Sequence, residues 1–180
     1  MAYGKRSSPT EDGPAKPRQS AKSYVVWLLS KREYSALELR KKLKLRGYEE
    51  AEISEALEFA QSHDFQSDER FARIKTQSSA SRLGNRRLAQ TLKNNGIEAE
   101  VIDEQLESLE PENERAIRVA GRFKGKPLTT QMYAKVQRFL LYRGFGSGAV
   151  KAAMGYLREH QHASSENDSV HAEDMDQYVD

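Results

Sequence analysis

The sequence has no cysteine, one tryptophan and no long apolar run. Each lack excludes something. Without cysteine there is no disulfide, no thiolate nucleophile and no Cys-ligated zinc, which suits a reducing cytosol. Nothing approaches the eighteen or so apolar residues of a membrane span. The N-terminus carries lysine and arginine but no apolar segment of a secretory signal. A cytoplasmic protein is expected. Catalytic signatures are also missing: no P-loop, no Gly-rich dinucleotide turn and no HExxH. The four histidines are His63, His160, His162 and His171. His63 ends a helix, where a cation is favoured. His160 and His162 are two residues apart and do not share a helical face. The reading is therefore not an enzyme, with no catalytic residue, no metal site and no cofactor.

What is present favours helix. The chain is 31% charged and 37% hydrophobic, and Leu, Ala, Glu, Lys and Arg dominate its middle. The net charge of +2 hides a partition. Residues 1–20 carry four basic and two acidic residues, and residues 161–180 carry six acidic and no basic ones. The body between them holds 25 basic against 19 acidic residues, a net +6. Such a body suits a polyanion or an acidic protein as partner.

One stretch, Leu39 to Leu57, gives the unit of construction. Leu39 and Leu43 lie one helical turn apart, Gly47 follows, then Tyr48, then Ile53 and Leu57 one turn apart. This reads as an amphipathic helix, a glycine stop and a second amphipathic helix. Glycine bears the left-handed conformation that ends helices, and the residue after it packs back on the one four before it, here Tyr48 on Leu43. The unit recurs. Leu88, Leu92, Gly96, Ile97, Ile102 and Leu106 repeat the pattern, as do Val136, Leu140, Gly144, Phe145, Val150 and Met154. The glycines are 49 and 48 residues apart, a three-fold internal repeat. Gly47, Gly96 and Gly144 are thus the structural helix stops.

Along the chain, residues 1–20 hold three of the five prolines with Gly4, Gly13 and several serines, and read as a disordered leader. The first three-helix repeat spans 21–66. It opens with Tyr24, Trp27 and Leu28 on a face expected to be core. Ser35 with Glu38 is a capping box for its second helix. Lys41, Lys42, Lys44 and Arg46 crowd that helix's polar face and last turn, complementing its C-terminal end. The second repeat spans 67–110. Ser67-Asp68-Glu69 caps its first helix, Phe71 and Ile74 are expected to face inward, and Gly84-Asn85 is a turn and cap. Residues 98–114 carry acidic residues and no basic ones, a solvated face. The third repeat spans 111–160. Pro111 suits a helix start, Ala116, Val119, Ala120 and Phe123 form its stripe, and 125–128 is a loop. Residues 161–180 read as an acidic disordered tail that could fold back on the basic body and compete with an acidic partner.

Three stretches share a resemblance. Glu33-Tyr34-Ser35 with Glu38-Leu39-Arg40 and Gly47-Tyr48 is one. Asp68-Glu69-Arg70-Phe71-Ala72 with Gly84-Asn85-Arg86-Arg87-Leu88 and Asn95-Gly96-Ile97 is the second. Arg138-Phe139-Leu140-Leu141-Tyr142-Arg143-Gly144-Phe145 is the third. In this order they resemble the RecX family, bacterial regulatory proteins that modulate the recombinase RecA, over about residues 22–158. Ser67, where the family usually has an acidic residue, Ser81 and the long acidic tail depart from its pattern. The resemblance implies an all-α fold of three tandem three-helix repeats in an elongated, curved body. It implies a monomer that lodges in the RecA filament on single-stranded DNA and inhibits its ATPase and strand exchange, with no enzymatic activity of its own. Some family members also bind DNA.

The candidate partner contacts are Arg70, Lys75, Arg82, Arg86, Arg87, Lys135, Arg138 and Arg143. An extended repeat body touches several subunits of a polymer at once, so modest local affinities add. The alternative is a direct DNA binder, because helix, glycine turn and helix also describe a helix-turn-helix. No second helix carries an evident base-reading cluster, so DNA binding would be weak and independent of sequence.

Overall fold

The computed structural model describes residues 19–169, with side chains described as far as residue 160. The leader up to residue 18, His171 and residues 170–180 lie outside the described residues. Among the described residues the chain forms nine α-helices and no strand. They are α1 (Ala21–Leu29), α2 (Ala36–Leu45), α3 (Glu50–Ser62), α4 (Asp68–Ala80), α5 (Asn85–Asn94), α6 (Ala99–Glu107), α7 (Glu112–Ala120), α8 (Thr130–Tyr142) and α9 (Ser147–Ser169). A single 3₁₀ turn, Gly121–Phe123, follows α7. The most extensive helix packing is all within the trios α1–α3, α4–α6 and α7–α9.

Local chemistry starts and stops these helices. Ser20, Ser35, Ser67 and Thr129 each accept, through the side-chain oxygen, the amide of the residue three further on. This satisfies one of the donors a helix start leaves free. The Ser35 cap forms as its spacing predicts, while the Glu38 carboxylate receives Arg32 at 3.1 and 3.2 Å. A reciprocal box not anticipated from sequence, Glu49 with Glu52, opens α3. At the far end, α9 continues through the first residues of the expected tail to Ser169. No glycine or proline interrupts it between Tyr156 and Ser169.

The three glycine stops are alike. Gly47, Gly96 and Gly144 have φ of 78°, 79° and 84°, the left-handed region. The amides after them close back onto Leu43, Leu92 and Leu140 at 3.3, 3.2 and 3.2 Å. The glycine amides themselves reach Lys44, Lys93 and Leu141. These two bonds satisfy carbonyls that a helix end would otherwise leave unpaired.

Each trio has its own core. The first holds Val25, Leu28, Leu39, Leu43, Tyr48, Ile53 and Leu57. The second holds Phe71, Ala72, Leu92, Ile97 and Ile102. The third holds Ala116, Ala120, Val136, Leu140, Phe145, Val150 and Met154. Every apolar position of the repeated pattern is buried except Leu106, which is half-buried. Two expectations fail. Trp27 is 50% exposed, because α1 buries Ala21, Val25 and Leu28 and leaves Trp27 beside that stripe. Ile74 is also exposed, because α4 buries Phe71, Ala72, Thr76 and Ala80.

Two left-handed glycines separate conformational cost from crowding. A Cβ at Gly125 meets nothing within 4 Å, whereas one at Gly144 would come within 2.5 Å of the Arg87 backbone. Gly125→Ala should therefore destabilise by about 1 kcal/mol, the left-handed cost alone. Gly144→Ala should cost at least about 3 kcal/mol, the clash adding to that cost. Urea unfolding midpoints measure both, and equal losses would show that the close approach does not matter.

Candidate partner-binding site

Successive trios are joined by one device used twice. The glycine turn of a trio sits on the start of the second helix of the trio before it. Gly96 lies against Leu37 of α2, where a Cβ would come within 3.0 Å, and Gly144 lies against Arg87 of α5. A carboxylate on the first residue of the following trio completes the joint. Asp68 Oδ1 accepts the Ala36 amide at 2.9 Å, and Glu112 Oε1 accepts the Asn85 amide at 2.6 Å. Both amides open a helix, where donors are free and the helix dipole favours an anion.

The two joints differ in their arginines. Arg70 bridges the first joint. Its Nε pairs with Glu33 at 2.7 Å and Nη1 with Asp64 at 3.2 Å, and its Nη2 donates to the Asp64 and Phe65 carbonyls. The hydrogen bond to Glu33 raises the Arg70 pKa above its ordinary value. Arg115, 2% exposed, fills the second joint. It donates to the carbonyls of Glu110, Ala80 and Leu83 at 3.1, 3.3 and 2.9 Å, and to the Asn85 side chain. Burial lowers its pKa, and the Glu112 and Glu110 carboxylates act against that. A guanidinium stays protonated regardless. Backbone bonds tighten this joint further, from Gly84 N–H to Arg143 at 3.0 Å and from Arg86 N–H to Gly144 at 3.2 Å. Gly84 has an ordinary φ of −81° but no room for a side chain, since a Cβ would meet Phe145 N at 2.3 Å.

These joints decide where the expected contact residues lie. Arg82, Arg86 and Arg87 come together with Arg143 at the second joint. Arg143 donates to the Arg82 carbonyl at 3.1 Å and lies 4.4 Å from the Phe139 ring centroid. The side chains of Arg82, Arg86 and Arg87 are exposed. Lys135 and Arg138 are exposed on α8, the helix that Arg143 caps. Lys75 is exposed on α4, beside a small cavity of about 160 Å³ that also touches Arg32 and Glu33. Arg70 stands apart, at the first joint, with its charge matched there.

Sequence reasoning missed several residues. Arg115 was hidden because it takes the place, three residues into the first helix of its trio, that Phe71 takes in α4. The shared clue is an acidic first residue, Asp68 or Glu112, preceding a buried pair, Phe71-Ala72 or Arg115-Ala116. Also missed were exposed apolar side chains in last helical turns, Leu45 at 89% and Tyr142 at 81% exposed. Tyr142 and half-exposed Leu141 stand on the same helix as Arg138.

Charge is sorted by helix. In α2, α5 and α8 the charged residues are basic apart from Glu38. In α3 and α6 they are all acidic: Glu50, Glu52, Glu55 and Glu58, then Glu100, Asp103, Glu104 and Glu107. Among the described residues no group of three His, Cys, Asp or Glu side chains is placed to hold a metal, and no helix is long and apolar enough to cross a membrane.

Tandem helix trios define the chain as an α-helical repeat protein. Comparison with known proteins names the kind. The family models for the first and second three-helix domains of RecX match residues 21–59 and 67–106. The regulatory protein RecX of Vibrio parahaemolyticus is 34% identical over 162 residues, 87% of this chain and 99% of that protein. That of Actinobacillus pleuropneumoniae serotype 5b is 38% identical over 131 residues, 70% of this chain and 85% of that protein. The crystal structure of RecX from Lactobacillus salivarius superposes with a TM-score of 0.67 at 18% identity, covering 77% of this chain and 95% of that one. The chain belongs to the RecX family of regulatory proteins.

The joint chemistry is testable. Arg115→Ala would leave three carbonyls and the Asn85 side chain without their donor and should destabilise by about 3–5 kcal/mol. Arg86→Ala, at an exposed side chain, should stay within about 0.5 kcal/mol of the parent. Thermal unfolding followed by circular dichroism would show it, and a small loss for Arg115→Ala would refute the joint.

Proposed function

We propose that this chain binds along the filament that the recombinase RecA forms on single-stranded DNA and slows the filament's ATPase and strand exchange, acting as a monomer in the cytoplasm. The observation that carries the reading is the sorting of charge by helix position. A wholly solvated surface has no need to keep cations on α2, α5 and α8 and anions on α3 and α6. A body that lies along a polyanionic or acidic polymer gains from turning one sign toward it. The joints keep the trios in a fixed sequence, so contacts on each add through effective concentration.

Within this reading, Arg82, Arg86 and Arg87 at the second joint supply charge, joined by Lys135, Arg138 and Arg143 along α8 and by Lys75 on α4. Leu141 and Tyr142 supply the apolar anchor that a charged rim needs for affinity, since buried aromatic contacts carry most binding energy at interfaces. Arg70 contributes indirectly, by holding the first joint.

The test is an ATPase assay of the recombinase on single-stranded DNA. Stoichiometric addition of the chain should slow hydrolysis. Reversing Arg82, Arg86 and Arg87 to glutamate should weaken filament binding at least tenfold while the helical content holds, and Tyr142→Ala should weaken it by about threefold or more. No slowing by the parent chain would refute the function, and normal binding by the triple variant would refute the site.

A further inference from the structure

We propose that a second copy of this chain docks on the first trio, head to tail: the end of α8 in one copy seats in an apolar groove between α1 and the α3–α4 turn of the next.

The groove is a cavity of about 320 Å³ lined by Val26, Leu29 and Ser30 on one side and by Asp64 and Phe65 on the other. Val26 and Phe65 are exposed although apolar. The Phe65 ring is braced from behind, 6.0 Å from Phe59 and 5.9 Å from His63 between centroids. Asp64 also borders a second cavity, of about 400 Å³, whose wall carries Asp68, Glu69 and Glu98. Glu69 and Glu98 are exposed, and among the described residues no cation pairs with them. An apolar slot and an acidic cavity thus adjoin at one residue.

Helix α8 carries the converse. Arg138, Leu141 and Tyr142 stand at i, i+3 and i+4 on one helix face, with Lys135 three residues before Arg138. All four are exposed, while α8 packs on α7 and α9 through its other face. An aromatic anchor with cations one turn away meets a slot with anions beside it. The anchor supplies affinity, and the opposite charges select the partner and its direction.

The two halves are different surfaces on different trios. Each docking therefore leaves one groove and one α8 end unused, and copies add in an open row instead of closing as a pair. The contact covers Arg138, Leu141 and Tyr142. On the filament-binding reading, on which this consequence rests, a docked copy is withheld from the filament and the monomer is the active form.

Sedimentation of the full chain, without recombinase or DNA, tests the contact. Over about 1 to 300 μM, the range of a weak protein–protein contact, the average mass should rise past that of a dimer, and added salt should lower it. Val26→Glu, which spoils the groove, and Tyr142→Ala, which removes the anchor, should each weaken association about tenfold or more. Arg138→Glu should weaken it at least about fivefold. Mixing the Val26→Glu and Tyr142→Ala variants unites one intact α8 end with one intact groove, so the mixture should form a one-to-one dimer and go no further. A parent chain that stays monomeric throughout, which would leave the groove to some other occupant, overturns the proposal. So does a closed dimer that survives in both variants, or a mixture that stays monomeric. Failure here leaves the filament reading standing, and failure of the ATPase assay leaves this contact standing.

Discussion

A glycine turn resting on the beginning of a neighbouring helix is the contact on which this molecule depends. Each such turn does two jobs with one residue. Its left-handed φ ends a helix and satisfies that helix's last carbonyls. Its missing side chain lets the turn come close to the previous trio, against Leu37 in one case and Arg87 in the other. A side chain there would strain the backbone and push the trios apart together. Fold within a trio and order between trios are therefore the same constraint. Gly47, in the first trio, has the same φ, so the stop stands on its own where the described residues hold no earlier trio for it to rest on.

The two joints use different physics around that shared contact. At the first, Arg70 is held by carboxylates, one of them on exposed Asp64, where solvent and salt weaken attraction. At the second, Arg115 is buried on backbone carbonyls, and two backbone hydrogen bonds cross between the trios. A buried guanidinium must have its donors satisfied or it costs several kcal/mol. Its neighbours are therefore fixed more narrowly than an exposed ion pair would fix them. The second joint thus relies on a buried guanidinium and backbone hydrogen bonds, and the first more on ion pairs beside the Asp68–Ala36 bond and the Gly96–Leu37 contact.

Much of this was written in local sequence. The glycine stops, the residues that pack across them, the serine cap at Ser35 and the separation into three cores follow from period and turn chemistry, which act over a few residues. What stayed hidden depends on contacts between distant segments. Helix α1 carries two neighbouring apolar stripes, and period alone cannot say that Ala21, Val25 and Leu28 go inward while Trp27 stays out. Ile74 misleads for the same reason: α4 packs through small residues, Ala72, Thr76 and Ala80, which read as a weak face. Arg115 looks like any surface arginine until Ala80, Leu83 and Glu110 are brought around it. Of the expected contact residues, sequence could group Arg82, Arg86 and Arg87 because they are adjacent. It had no means of bringing Arg143 to them or of setting Arg70 against Glu33.

The sorting of charge has a physical consequence that net charge conceals. With a net charge of only +2, the chain as a whole would be drawn weakly to a polyanion. Fields near a surface depend instead on the charges within about 10 Å of it. Helices α5 and α8 carry only cations and α6 only anions, while in the first trio the two signs meet, Arg40 of α2 pairing with Glu50 and Lys22 of α1 with Glu55 of α3. Charge arranged in this way steers an approaching polyion more than net charge does. The same sorting limits indiscriminate contact: a wholly basic body attracts every polyanion, whereas anions on α3 and α6 oppose one that approaches from their side.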